Sequence, residues 1–129
     1  MTAPRIFLSG PMSGLPDFNR PAFNREADRL RQLGWVVLSP SENPAPACGS
    51  WAGWMRMSIT QLMCADLMVT LPGWIDSEGA RLEQVIAQML QIPIYLSGEI
   101  VRGDLQAWRD SPSPDLHALY GENKRIRRV

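Results

Sequence analysis

Four short apolar runs, at residues 5–9, 35–39, 67–71 and 92–96, constrain the fold of this chain more than any other feature. None of them alternates between apolar and polar residues, which is the pattern of strands buried on both faces of a parallel sheet. Parallel strands need long crossovers, and helical patterns lie between the runs. Residues 19–33 place Phe23, Ala27, Leu30 and Leu33 on one stripe, with charged residues opposite and Gly34 as the terminator. Residues 51–64 set Trp51, Trp54, Met55, Ile59, Leu62 and Met63 at helical spacing, and residues 79–90 do the same with Leu82, Val85, Ile86, Met89 and Leu90. This alternation predicts an α/β three-layer sandwich with a parallel sheet of four to five strands and right-handed crossovers. Residues 40–49, with Pro40, Pro44 and Pro46, read as a loop over the sheet. Residues 101–110 read as a further helix, broken by Ser111-Pro-Ser-Pro114.

The 129 residues fit one domain spanning 1–129, with 111–129 as an irregular tail. Apolar content of 45% and charged content of 20% are those of a globular protein. A formal net charge of zero argues against nucleic-acid binding, and the basic run at 124–128 reads as a solvated terminus. Cys48 and Cys64 lack metal-ligand spacing, and Cys64 is expected to pack as a small hydrophobe. His117, the only histidine, is expected to be structural or exposed. The N-terminus enters a strand directly without a signal-peptide core, and no apolar run reaches membrane-spanning length, so a cytoplasmic protein is expected.

In open α/β sheets ligands bind beyond the carboxyl ends of the strands, which directs attention to the loops that follow them. The third run ends in Pro72-Gly73, and Glu83 then falls one turn inside the next helix. Its same-face neighbours Gly79, Ala80 and Ala87 are small, leaving room around the carboxyl group. Ser77 precedes that helix, as its cap, as part of an anion site, or as both. Arg81 is either a phosphate contact or a surface arginine, and Trp74 is either an aromatic wall for a base or packing under the loop. After the first run, Ser9, Gly10, Pro11 and Met12 open a loop of small residues through Ser13 and Gly14. Such a loop lets backbone amides approach a ligand, but it also fits a plain turn. It is neither a P-loop nor a dinucleotide fingerprint. Asp17 and Asn19 follow, as site residues or as a turn and helix cap, and Glu42 and Asn43 are candidates for the mouth of the site. Asp66 lies at the opposite edge and reads as a turn or cap. The tryptophan and methionine stripe at 51–63 reads as core or subunit interface.

Three segments together carry a resemblance: Ile6-Phe-Leu-Ser-Gly-Pro-Met-Ser-Gly14, Asp17-Phe-Asn-Arg-Pro-Ala-Phe-Asn24 and Leu71-Pro-Gly-Trp-x-x-Ser-x-Gly-Ala-Arg-x-Glu83. They resemble the DUF4406 family, which is similar to the nucleoside 2-deoxyribosyltransferases and the 2′-deoxynucleoside 5′-monophosphate N-glycosidases. The resemblance covers about residues 5–96. It implies a flavodoxin-like parallel fold, a small-molecule nucleoside or nucleotide as partner, and cleavage or transfer at the N-glycosidic bond without metal or organic cofactor. Glu83 matches the glutamate that attacks the anomeric carbon, the loop from Ser9 matches the segment holding the sugar or 5′ group, and Ser77 matches a phosphate-contacting serine. A homodimer or higher homo-oligomer, with part of each pocket donated by a neighbour, is implied as well.

An ionised carboxylate suits the oxocarbenium-like transition state of such a reaction, and the helix N-terminus is expected to favour that form. One position departs from the resembling pattern: Ser58 stands where those enzymes carry an aspartate, and a serine does not protonate a leaving base at neutral pH. Asp17, Asp76 and Glu78 are the candidates to replace it. The competing reading is a nucleotide-binding or sensor protein that kept the pocket and lost turnover. A nucleic-acid accessory acting through the basic tail is a third reading, opposed by the neutral charge.

Overall fold

The computed structural model describes residues 3–110. Four parallel strands, β1 (Arg5–Ser9), β2 (Val36–Leu38), β3 (Leu67–Thr70) and β4 (Ile94–Leu96), form one sheet in the order β2-β1-β3-β4. Helices α1 (Arg20–Gln32), α2 (Trp51–Met63) and α3 (Glu78–Met89) make the crossovers, and α4 (Asp104–Asp110) follows the last strand. The order places the topological switch between β1 and β3, the point at which open sheets of this type bind ligands. β1 spans its whole apolar run, whereas β2, β3 and β4 are one or two residues shorter than theirs, whose ends supply loop residues. Residues Pro40–Glu42 form a 3₁₀ turn within the expected loop. Among the described residues no helix is long and apolar enough to cross a membrane.

The strand pleat sorts the core into two unequal halves. Ile6 and Leu8 of β1 with Leu67 and Val69 of β3 face α1 and α4, in a cluster of thirteen buried residues that includes Phe23, Leu30, Trp35 and Trp108. Phe7 and Met68 face the other way, in a buried cluster of five with Leu62, Ala87 and Ile94 against which the partly buried Leu38, Ala65, Ile86 and Ile92 pack. The first half is a filled core. The second is thin and leaves open space above it.

Local signals account for the helix ends. Gly34, at φ +101°, lets the chain leave α1, with the Trp35 N–H reaching back to the Leu30 carbonyl at 3.2 Å. Trp35 then meets Trp108 edge to face at 6.4 Å, docking α4. The Ser50 and Ser77 hydroxyls cap α2 and α3 by accepting the N–H groups of Gly53 and Ala80. Glu26 accepts a bidentate contact from Arg29 and the N–H of Gly98, while Arg29 also donates to the Ile100 carbonyl, tying α1 to the loop after β4. Asp66 accepts the Arg5 N–H at 2.7 Å and so pins the amino edge of the sheet.

Three expectations are corrected. All but one residue of the apolar stripe of α3 face outward: Leu82, Val85, Met89 and Leu90 are exposed, Ile86 packs partly buried against the cluster of Phe7 and Met68, and the buried face is Ala80, Glu83, Gln84 and Ala87. Periodicity shows that a helix has an apolar face but not what that face meets. Cys64 is exposed, because it ends α2 at the surface and points away from the sheet. Asn19 precedes α1 but does not cap it, since a left-handed backbone (φ 59°) turns its side chain to the Pro11 carbonyl at 3.0 Å. His117 and the basic tail lie outside the described residues.

At Gly10 the chain leaving β1 passes close to Leu71, and a Cβ there would lie 2.8 Å from the Leu71 Cβ. Gly10→Ala is expected to destabilise the fold by about 1–3 kcal/mol, the usual cost of overpacking. A denaturant midpoint unchanged from the parent would refute this close approach.

Candidate active site

The same alternation that builds the core places two polar side chains at the carboxyl ends of the central strands. Ser9, last in β1, shares a face with Phe7, and Thr70, last in β3, shares one with Met68. Both point to α3, where two consecutive polar residues wait. The Ser9 hydroxyl donates to Glu83 Oε1 at 2.6 Å, and Gln84 Nε2 donates to the Thr70 hydroxyl at 3.3 Å. All four residues are buried. The apolar layer between sheet and α3 therefore ends in a polar seam, and Glu83 faces a cavity beyond it.

The cavity has a volume of about 440 Å³, within the range of small-molecule sites. Gly10, Met12 and Ser13 from the loop after β1 form one side, and Ser77, Gly79 and Ala80 from the start of α3 form another. Trp51, Trp54, Met55 and Ser58 enter from α2. Phe18, Arg20, Pro40, Asp76 and Glu78 complete the lining. The small residues of α3 matter for space. A Cβ on Gly79 would meet the Met55 sulfur at 3.0 Å, and Ala80 is almost fully buried beside Glu83. Ala87, expected to leave room as well, instead packs in the core with Phe7 and Met68.

Burial governs the carboxyl group. Glu83 is 4% exposed, and desolvation pushes its pKa up to about 7, opposed by hydrogen bonding from Ser9 and, more weakly, from Ser58. The Ser58 hydroxyl donates to the Met55 carbonyl at 3.2 Å, so Ser9 is the hydroxyl held directly on the carboxyl. The expectation that the helix N-terminus keeps Glu83 ionised is corrected: Glu83 lies beyond the first turn of α3, where the dipole has faded, and desolvation outweighs it. Burial thus holds the proton on Glu83 well above the usual carboxylate range.

A strained turn carries the far wall. Asp17, Phe18 and Asn19 have φ values of 50°, 51° and 59°, three successive side-chain-bearing residues in the left-handed region. The Asn19 contact to the Pro11 carbonyl and the Phe18 N–H to the Leu15 carbonyl, 3.0 Å, hold the turn. Its effect is to bring Phe18 and Arg20 to the cavity, with Arg20 paired to Asp17 at 2.9 Å and its guanidinium 5.2 Å from the Phe18 ring centre.

Of the residues singled out from sequence, Glu83, Gly10, Met12, Ser77 and Gly79 line the cavity, and Ser9 lies directly behind Glu83. Ser13, Ser58, Asp76, Glu78 and Ala80 line it too, whereas Pro11, Asp17, Asn19, Glu42, Asn43, Trp74 and Arg81 fall outside. Arg81 donates to the Ile75 carbonyl at 2.9 Å, Trp74 belongs to the 3₁₀ turn Trp74–Asp76, and Pro11, Asp17 and Asn19 brace the loop. Glu42 pairs with Arg31 and Asn43 with Gln61, so neither reaches the mouth. The aromatic walls come instead from Trp51, Trp54 and Phe18. A signal for the first two existed in the sequence: Ser58 shares a helical face with Trp54 and Met55, and a serine in an apolar stripe marks a face that is not plain core.

The fold has relatives. A solved structure from a study of the 2-deoxyribosyltransferase of the psychrotolerant bacterium Bacillus psychrosaccharolyticus, a biocatalyst for nucleoside synthesis, superposes with a TM-score of 0.59 at 22% identity, covering 89% of this chain and 95% of that one. The likeness is one of fold, and it agrees with the deoxyribosyltransferase-like α/β sandwich implied by the sequence resemblance. No curated protein matches the chain. Residues 4–98 match DUF4406, a domain of unknown function, and by that match over most of its length the chain belongs to the DUF4406 family.

Proposed function

We propose that this protein cleaves or transfers the N-glycosidic bond of a nucleoside or nucleoside 5′-monophosphate, with Glu83 as nucleophile. The observation that supports this reading is a buried carboxyl group on the wall of a nucleoside-sized cavity at the switch point of the sheet. In its ionised form Glu83 would attack the anomeric carbon as the bond to the base breaks, giving a glycosyl ester that water or a second base resolves. Ser9, donating to Oε1, fixes the carboxyl and leaves the other oxygen for attack. Ser77 and the first N–H groups of α3 suit a sugar hydroxyl or a 5′-phosphate.

Incubation with deoxynucleosides and their monophosphates, followed by chromatography, tests the reading. Base release that falls at least about a hundredfold in Glu83→Gln is expected. Release unaffected by that substitution would dismiss Glu83 as nucleophile, and a second free base separates transfer from hydrolysis. Tight binding without release would favour the competing sensor reading, for which the commitment of the Ser58 hydroxyl to the Met55 carbonyl is the supporting observation.

Because the nucleophile must lose its proton, kcat/KM is expected to rise about tenfold per unit of pH below 7 and to level off above it. The same group gives a readout that needs no substrate. In the folded chain Glu83 keeps its proton to about pH 7, whereas its ordinary value is 4.5. The folded state thus binds the extra proton between these values, and stability falls as pH rises through that window. Relative to Glu83→Gln, the parent is expected to lose roughly 3 kcal/mol of unfolding free energy between about pH 4.5 and 8. Parallel pH curves for the two proteins would contradict the buried, raised carboxyl.

The outward stripe of α3, with Trp51 and Met63 of α2 also exposed, is an apolar surface that a second copy of the chain would cover. Sedimentation should detect a homodimer or larger assembly, dissociated by Val85→Glu with Met89→Glu. A monomeric parent would refute it.

A further inference from the structure

The charge of the cavity and the absence of a buried acid other than Glu83 on its described lining narrow the substrate class, given the reading of Glu83 as nucleophile. Three carboxyl groups line the space: Glu83, and the exposed Asp76 and Glu78. Among the described residues neither Asp76 nor Glu78 forms an ion pair, and the three do not converge as a metal-holding group. The one cation on the lining, Arg20, is already paired with Asp17 at 2.9 Å. The walls are the rings of Phe18, Trp51 and Trp54. An aromatic enclosure edged by unpaired carboxylates attracts a flat cation through ring quadrupoles and charge together.

The second observation concerns the leaving group. A neutral base departs with the electrons of the glycosidic bond and needs a proton to do so readily. The described lining contains no histidine, lysine, tyrosine or cysteine, its carboxyl groups besides Glu83 are the exposed Asp76 and Glu78, and the Ser58 hydroxyl donates to the Met55 carbonyl. A base that already carries a positive charge on its glycosidic ring system needs no proton.

We propose that the substrate is an N-glycoside of a cationic nitrogen heterocycle, a pyridinium or an N-alkylated purinium, held among Phe18, Trp51 and Trp54 with Asp76 and Glu78 at its edge. As a Glu83 oxygen bonds to the anomeric carbon, the carbon–nitrogen bond breaks and its electron pair cancels the positive charge, so the base leaves neutral. Water then bonds to the anomeric carbon, the Glu83 carboxylate is released, and one proton passes to solvent.

The test uses nicotinamide riboside and 7-methylguanosine against guanosine and cytidine, each as the ribo- and 2-deoxyribonucleoside, with the full chain. After division by the spontaneous rate of each compound, Glu83-dependent base release should be at least about a hundredfold faster for the cationic set. Asp76→Asn with Glu78→Gln should raise KM for the cationic set about tenfold, an effect that shrinks with added salt. An independent measurement, quenching of tryptophan fluorescence in the parent, should show 1-methylnicotinamide binding about tenfold more tightly than nicotinamide. Equal binding of that pair, or equal normalised release from the neutral nucleosides, overturns the cationic-base proposal and leaves Glu83 as nucleophile. Release from no compound overturns both.

Discussion

The 2.6 Å hydrogen bond from Ser9 to Glu83 joins the end of the first strand to the helix that follows the third, and the site depends on it. Its two partners are separated by most of the folded chain, and each is buried. Leaving either polar group unpaired there would cost on the order of 1–3 kcal/mol, so strand register and helix placement must agree to satisfy both. The Thr70–Gln84 contact repeats the arrangement one strand away and one residue on. Two polar pairs therefore close the core at the edge that carries the candidate site. The apolar packing stops there because the sequence switches from Phe7 and Met68 to Ser9 and Thr70 on the same faces of the strands.

The unequal halves of the molecule follow from this seam. On the α1 side the sheet is covered by a large cluster of buried side chains. On the α2 and α3 side, the inward residues of α3 are Ala80, Glu83, Gln84 and Ala87, which cannot fill the layer. Of the larger apolar residues of α3 only Ile86 packs inward, and Leu82, Val85, Met89 and Leu90 are exposed. A cavity over the sheet and an apolar outer face are thus two results of one helical orientation, fixed by where the carboxyl must lie. Desolvation in that thin layer raises the Glu83 pKa, so the same packing tunes the acid–base character of the group it positions.

Much of this was legible in the residues. The uninterrupted apolar runs gave a parallel sheet, and the small residues before Glu83 marked a space near its carboxyl. The loop after β1 was visible as a candidate, with Gly10 and Met12 on the cavity. What could not be read was long-range. Trp51 and Trp54 lie on a stripe that Ser58 marks as other than plain core, but helical spacing identifies a face and not its neighbour. The turn at Asp17–Asn19 gave no glycine to announce its left-handed backbone, yet it is what carries Phe18 and Arg20 to the cavity.

The sequence by itself determined the layers, the crossover helices and the position of one carboxyl beside the carboxyl edge of the sheet, since these depend on periodicity and local turn chemistry. Tertiary structure alone decided which side of α3 meets the sheet, which aromatic rings enclose the space, and how strongly Glu83 holds its proton. Those properties arise from contacts between segments far apart in the chain. Burial, the largest influence on that carboxyl, is a property of the surroundings and not of the residue.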